Sequence, residues 1–281
     1  MSGKLYLVGT PIGNLGDLSP RGAETLALVD LIAAEDTRVT LRLLNHLGIK
    51  KPLISYHEHN KAAAGAKILA RLKAGESCAL CSDAGMPCVS DPGQELVALA
   101  GEAGIEVAAV PGPSAAVTGL ALSGLVCGRF AFEGFLSVKK NSREKHLAAI
   151  KLESRTMVFY EAPHKLTATL RDLLRVLGNR KIALCRELTK LHEEVIRTTL
   201  EQAVERYNIT PPRGEFVLVI EGAPTPQEVE KPTIDHALEL IARLCEEDGL
   251  SLSEAAKQVA KVCGYKKSEL YALALKARDG W

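Results

Sequence analysis

Five short aliphatic runs, each three or four residues long, punctuate the first 110 residues and leave little choice of architecture: residues 5–8, 31–34, 53–55, 78–81 and 107–110. Each is apolar at successive positions rather than at alternate ones, which demands cover on both faces. Amphipathic stretches at residues 40–47, 61–73 and 94–103 lie between them. Each stops at or just before a glycine (Gly48, Gly75, Gly104) suited to a left-handed helix cap. Ser19-Pro20 adds a cap followed by proline in a first turn. The pattern predicts a parallel sheet covered by helices.

Beyond Gly128 the texture changes. Residues 130–135, 156–160, 181–185, 195–199 and 216–221 read as strands, and helices are expected only over 144–152 and 165–177, the composition of a mixed sheet. Gly124 and Gly128 bracket a short apolar segment that marks the boundary between the halves. A proline-bearing linker over 222–232 leads to a helical tail, with helices expected over 234–246, 253–262 and 267–277, Ser253 as a cap, and Gly249 and Gly264 as breaks. The expected fold is therefore α/β: a parallel-sheet domain over residues 1–123, a mixed-sheet domain over 124–224, and a small helix-turn-helix-like domain over 233–281. A plain helical bundle fits the tail equally well.

Lysine and arginine number 35 against 34 aspartate and glutamate, a formal charge of +1, so no global field draws this chain to polyanions and any such partner needs a local basic patch. The opening residues read as a strand rather than a cationic leader, and no apolar run is long enough to span a bilayer, so the expectation is a cytoplasmic protein without membrane contact. Seven cysteines in apolar surroundings fit reduced thiols. Cys78 and Cys81 form a C-x-x-C inside an apolar run, which reads as strand core, and no ligand spacing for a metal is present.

In an open parallel sheet, ligands bind beyond the carboxyl ends of the strands. The five segments that follow the five runs are Gly9-Thr10-Pro11-Ile12-Gly13-Asn14-Leu15, Glu35-Asp36-Thr37-Arg38, His57-Glu58-His59-Asn60, Ser82-Asp83-Ala84-Gly85-Met86-Pro87, and Pro111-Gly112-Pro113-Ser114-Ala115. None carries a dinucleotide fingerprint or a P-loop. Turns rich in proline and glycine expose backbone carbonyls and amides, and a lining poor in lysine suits a cationic adenosyl sulfonium.

Together with Phe159-Tyr160-Glu161-Ala162-Pro163-His164 and Arg186-Glu187-Leu188-Thr189-Lys190, these segments resemble the tetrapyrrole (corrin/porphyrin) methylase superfamily, and within it the branch that methylates ribosomal RNA. The resemblance spans nearly the whole chain. It implies an S-adenosyl-L-methionine-dependent enzyme that methylates the ribose 2'-hydroxyl of a cytidine in the decoding region of 16S ribosomal RNA. It also implies a homodimer, with the cofactor folded into a cleft between two α/β domains and 16S rRNA or the small ribosomal subunit as partner. Two alternatives stay open: a same-fold methylase of a tetrapyrrole or other small molecule, and a non-catalytic regulator that senses an adenosyl ligand and binds nucleic acid.

By the resemblance the cofactor touches Pro11, Asp83, Ala84, Gly85, Met86, Ser114, Ala115, Tyr160, Glu215, Phe216 and Val217. Candidate proton acceptors are Asp36, His57, Glu58 and Glu161, with an Asp36–Arg38 pair or helix cap and a hydrogen-bonded surface His57 as the structural alternatives. Candidate RNA contacts are Arg38, Lys139, Lys140, Arg143, Arg186, Lys190, Lys266 and Lys267, the run from Lys139 to Lys145 being expected as a mobile loop over the cleft. Salt bridges of Arg186 and Lys190 with Glu187, Glu193 or Glu194 explain those two almost as well.

Overall fold

The structure, a computed structural model, describes residues 3–224 and 233–278. Two compact units divide between Ala223 and Pro224.

The first unit holds two five-stranded sheets. Strands β1 (Lys4–Val8), β2 (Leu31–Ala34), β3 (Leu53–Ser55), β4 (Cys78–Cys81) and β5 (Glu106–Val110) pair in parallel in the order β3-β2-β4-β1-β5. β2 and β4 are buried at every position, which is why their sequences do not alternate. Helices α1 (Pro20–Leu28) and α2 (Thr37–His46) cover one face through Leu26, Leu43 and Leu44. On the other face, α3 (Lys61–Lys73) and α4 (Gln94–Glu102) seal the sheet through Ile68, Leu72, Leu96 and Ala100. Helix α2 starts three residues before the expected position because Asp36 caps it, accepting the Arg38 N–H at 2.8 Å.

The second sheet runs β6 (Phe130–Phe135), β7 (Thr156–Glu161), β8 (Lys181–Arg186), β9 (Glu194–Thr199) and β10 (Phe216–Ile220), in the order β6-β7-β10-β8-β9. Only β6 and β7 are parallel; the other pairs are antiparallel. The face carrying Met157, Phe159, Leu184 and Leu218 is closed by Leu147, Leu166, Leu170, Leu173 and Ala203. These come from α6 (Lys140–Ala149), α7 (Pro163–Leu177) and α8 (Leu200–Ile209).

Helix α5 (Ala115–Ser123) closes the opposite face, where Ala116 and Leu120 meet Val158, Ala183, Cys185, Val217 and Val219. The chain thus passes from the first sheet's turns to the second sheet's packing at residues 111–114, ahead of the boundary expected at Gly124–Gly128. Helix α5 is apolar on all sides and shows no period of its own, so the sequence does not reveal which sheet it covers. Its Gly119 lies so near β10 that an added Cβ would stand 2.9 Å from Val217 Cγ1.

Helix α6 also departs from expectation. It begins at Lys140, so most of the basic run is its first turns rather than a mobile loop. The guanidinium of Arg143 donates to Asp172 at 2.7 Å and to Thr169 at 2.9 Å, and these bonds hold α6 on α7.

The second unit is a three-helix module of α9 (Ile234–Glu246), α10 (Leu252–Cys263) and α11 (Lys267–Arg278) around Ala237, Ile241, Ala256, Val259 and Leu270. Its middle helix is capped by Ser251, not Ser253. Ser251 and Glu254 form a reciprocal capping box, and Gly264 ends the helix in a left-handed conformation. Most of the expected linker, residues 225–232, lies outside the described residues. No described helix is long and apolar enough to cross a membrane.

The α5–β10 contact yields a first prediction. Gly119→Leu should destabilise the protein by about 1–3 kcal/mol through overpacking. Gly101→Ala, which meets nothing within 4 Å, should be neutral or stabilising by about 0.5–1 kcal/mol from helix propensity. Urea unfolding of the two variants beside the parent checks the contrast.

Candidate active site

Backbone contacts lock the turns after β1, β4 and β5 together. Thr10 and Gly85 exchange two backbone hydrogen bonds of 2.9 and 3.1 Å as an isolated antiparallel bridge. The Thr10 hydroxyl donates to the Ser82 carbonyl at 3.2 Å. Gly9 and Gly112 pass so closely that a Cβ on Gly9 would lie 2.6 Å from the Gly112 Cα and 2.7 Å from Met86 Sδ. Only glycine permits this approach.

Second-sheet groups reach the same edge. The Tyr160 hydroxyl accepts the Ala116 N–H at 3.1 Å in the first turn of α5. A Cβ on Gly13 would meet Lys190 Cγ at 2.5 Å and Thr189 Oγ1 at 2.9 Å, and one on Gly134 would stand 3.5 Å from Ser90 Oγ. Between the turns lies a cleft of about 480 Å³ lined by Ile12, Asp17, Pro111, Pro113, Thr118 and Thr189 among others. Four non-glycine residues, Cys88, Ser90, Glu187 and Thr189, adopt positive φ in the two loops at this rim. Such strain persists where surrounding structure imposes it, and it clusters at functional sites.

The first-sheet side of the rim is acidic. Asp83 Oδ1 accepts the Asp36 N–H at 3.0 Å. Partial burial, followed by the proximity of Asp83, raises the Glu35 carboxyl above its ordinary range. Asp83 is raised likewise, by burial first. Burial pushes Asp91 up to about 6, with Glu35 and Asp83 adding to the shift and Ser82 opposing it by a hydrogen bond. Asp36 goes the other way, down to about 2, because the Arg38 side chain and N–H both donate to it. A cation brought among the raised carboxylates would lower all three, and a phosphate would be repelled. Thr189 Oγ1, buried on the cleft wall, and His57 Nδ1, buried near Glu35, have no hydrogen-bond partner among the described residues. A cradle of backbone turns, crowded carboxylates and unpaired polar atoms fits an adenosyl sulfonium better than a nucleotide phosphate.

Of the residues expected to hold the cofactor, Pro11, Asp83, Ala84, Gly85, Met86, Ser114, Ala115 and Tyr160 lie in or beside these interlocked turns. Val217 pairs with Tyr160 across β7 and β10. The side chain of Phe216 points the other way, into the core beneath α7 and α8 beside Tyr207, so only its backbone is open to a role at this edge. Glu215 is turned to Lys190 at 2.9 Å.

The four expected proton acceptors separate. Glu161 is only 4% exposed and accepts from Thr169 Oγ1 and the Ala162 N–H. Glu58 pairs with Lys61 at 2.8 Å on the exposed start of α3. Asp36 is engaged by Arg38 and caps α2. His57 remains at the acidic rim.

Among the expected RNA contacts, Arg38, Arg143, Arg186 and Lys190 all sit in ion pairs: with Asp36, with Asp172, with Glu194, and with Glu187 and Glu215 respectively. Lys139 and Lys140 are exposed, and neither has an ion pair among the described residues. In the second unit Lys266 is exposed and Lys267 donates to Ser253 at 2.9 Å. Sequence reasoning passed over Glu35 and Asp91 as site residues. The Ser90-Asp91-Pro92-Gly93 turn was the available signal for Asp91. Among the described residues no group of three or more His, Cys, Asp or Glu side chains is arranged to hold a metal ion.

The parallel sheet, mixed sheet and interlocked turns define the fold of a methylase. Residues 4–204 match the family described as Tetrapyrrole (Corrin/Porphyrin) Methylases, and residues 232–278 the RsmI C-terminal HTH domain. Among solved structures, diphthine synthase superposes with a TM-score of 0.59 at 16% identity, covering 79% of this chain and 90% of that one. Uroporphyrin-III C-methyl transferase of Thermus thermophilus, complexed with S-adenyl homocysteine, gives 0.56 at 20% identity, with 78% and 97% covered. Curated relatives named Ribosomal RNA small subunit methyltransferase I are nearer. That of Synechocystis is 50% identical over 97% of this chain and 98% of its own length, and that of Bacillus subtilis 44% identical over 96% and 93%. The chain belongs to the ribosomal RNA small subunit methyltransferase I family within the tetrapyrrole methylases.

Asp91 supplies a stability prediction with a definite sign. The folded protein holds the Asp91 proton up to about 6, whereas the unfolded chain releases it near the ordinary value of 3.8. The folded state therefore binds the proton more tightly, and this contribution is lost as pH rises through about 6. Asp91→Asn cannot titrate. Its melting temperature should exceed that of the parent by several degrees near neutral pH, and the gap should narrow on acidification below the Asp91 titration; thermal unfolding across pH measures it.

Proposed function

We propose that this chain transfers the methyl group of S-adenosyl-L-methionine to the ribose 2'-hydroxyl of a cytidine in the decoding region of 16S ribosomal RNA. The observation that carries the reading is the half-identity, over nearly the full length of both chains, to ribosomal RNA small subunit methyltransferase I. A homodimer and a cytoplasmic location belong to the same reading by resemblance. So does the division of the first unit into two α/β domains, for which the separate cores of the two sheets speak.

The cofactor, when bound, supplies an electrophilic methyl on a positively charged sulfur. In our reading the turns at Pro11, Asp83–Met86 and Ser114–Ala115 grip it through backbone groups, with Tyr160 closing the second-sheet side. Glu35, Asp83 and Asp91 place negative charge where a sulfonium is to be held, and much of the rate comes from aligning oxygen, methyl and sulfur. The ribose hydroxyl must lose its proton as it attacks. Glu58 and Glu161 are turned elsewhere, and Asp36, held near 2 by Arg38, is a poor base. Asp91, raised to about 6, sits in the range where a carboxylate accepts a proton efficiently near neutral pH. We assign it that role, with His57 at the same rim beside Glu35. Exposed Lys139 and Lys140 meet RNA phosphate, and Arg143 positions the helix that carries them.

Tritiated methyl transfer from the cofactor to unmethylated small ribosomal subunits, set against uroporphyrinogen, tests the reaction, and mapping the methylated ribose tests the site. Label on the tetrapyrrole alone would overturn the reading. Asp91→Asn should lower kcat by about 100- to 10,000-fold and remove the acidic limb of the pH-rate profile. Lys139→Glu with Lys140→Glu should raise KM for subunits at least about tenfold and flatten its salt dependence. Cofactor affinity by calorimetry should stay unchanged in the double variant.

A further inference from the structure

Strand β6 ends in an irregularity that changes the direction of one aromatic ring. Up to Phe132 its register with β7 is regular: Ala131 pairs with Met157, and Phe132 with Val158. The register then shifts, so that Gly134 pairs with Phe159 and Phe135 with Tyr160. Paired residues share a face of the sheet. Ala131, Met157 and Phe159 face the core under α6 and α7, whereas Val158 and Tyr160 face α5 and the candidate site. Plain alternation would send residue 135 to the core face with Ala131. The extra residue, with Gly134 at a φ of 62°, moves Phe135 onto the site face beside Phe132 and Tyr160.

On that face the ring is not buried. Phe135 is 54% exposed, touching Tyr160 with its centroid 5.5 Å away and the planes inclined at 61°. Phe132 abuts Tyr160 at 5.1 Å, and together with the Ala116 N–H it holds Tyr160 in place without the outer ring, which lies open. Val138, 74% exposed, follows three residues later, and then Lys139 and Lys140. The carboxylate cluster of Glu35, Asp83 and Asp91 belongs to the same rim, with Asp91 near enough to act on Tyr160. An open aromatic face at this rim, followed within five residues by two exposed lysines, suits an unstacked base whose phosphates those lysines meet.

We infer that Phe135 is the platform on which the base of the target nucleotide stacks, its ring aimed into the site by the β6 bulge. The inference rests on the ribosomal RNA reading above and names the part of the site that takes hold of the nucleotide. Stacking requires a π-face, and apolar bulk does not substitute for it.

The test compares Phe135→Ala, Phe135→Leu and Phe135→Trp with the parent in methyl transfer to unmethylated small subunits, with S-adenosylhomocysteine affinity measured by calorimetry. Phe135→Ala and Phe135→Leu should both lose about 10- to 100-fold in kcat/KM for subunits, the usual effect of removing one base–aromatic stack. Phe135→Trp should keep most of the activity, and all three should bind S-adenosylhomocysteine as the parent does. Activity of Phe135→Leu equal to the parent would overturn the inference, as would a parallel loss of S-adenosylhomocysteine affinity, which would assign the ring to the cofactor pocket. A parent inert on subunits would instead sink the functional reading itself. Melting temperatures of the variants identify any loss that comes from unfolding.

Discussion

The crossing of the turn after β1 with those after β4 and β5 is the contact on which the site depends. These are backbone-to-backbone contacts: the Thr10–Gly85 bridge and the van der Waals approach of Gly9 and Gly112. Backbone groups joined in this way have almost no rotameric freedom, so the carbonyls and amides around the cleft are held by the sheet itself. Parallel strands make this possible because every carboxyl end lies on one edge. Side chains that contribute charge, such as Asp83 and Asp91, project from turns already immobilised by that crossing.

Charge is distributed with a polarity that the near-zero total conceals. The first-sheet rim concentrates carboxylates, whereas the second-sheet side offers Lys139 and Lys140. Many other cations near this edge are neutralised by immediate neighbours: Arg38 by Asp36, Lys190 by Glu187 and Glu215, Arg186 by Glu194. The unpaired carboxylates and the unpaired lysines thus sit on different elements, the first suited to a positive ligand and the second to a negative one. Arg143, one of the expected phosphate ligands, also serves the scaffold. Its bond to Thr169, and that of Thr169 to Glu161, run from α6 to the end of β7 next to Tyr160.

Much of this was legible in the chain because the first sheet obeys a simple rule. Strands buried on both faces produce unbroken aliphatic runs, as β2 and β4 do, and the partly buried edge strand β3 also falls on its run. What escaped had physical reasons. Helix α5 is apolar all round, so it shows no period, and its packing on the second sheet moves the crossover ahead of Gly124. Helix α8, Leu200–Ile209, is capped by Thr199 at the end of a strand, where residues of mixed preference hide the change of period. The turns around Pro11, Asp83 and Ser114 were readable from glycine and proline alone. The outward turn of Phe135 was not, because a bulge leaves no trace in the alternation of apolar residues until the strand pairing is known. The raised carboxyl of Asp91 was equally hidden, since it depends on burial and on Glu35, which comes from the distant turn after β2.

Helix α5 has a mechanical consequence. Its first turn carries Ser114 and Ala115 at the rim, its middle is wedged against Val217, and its far end is gripped by Arg197 through the carbonyls of Leu122 and Ser123. A single rigid rod thus joins the wall of the cleft to the outermost strand pair of the second sheet. The cleft wall and the edge of that sheet therefore share one support, and neither is positioned independently of the other.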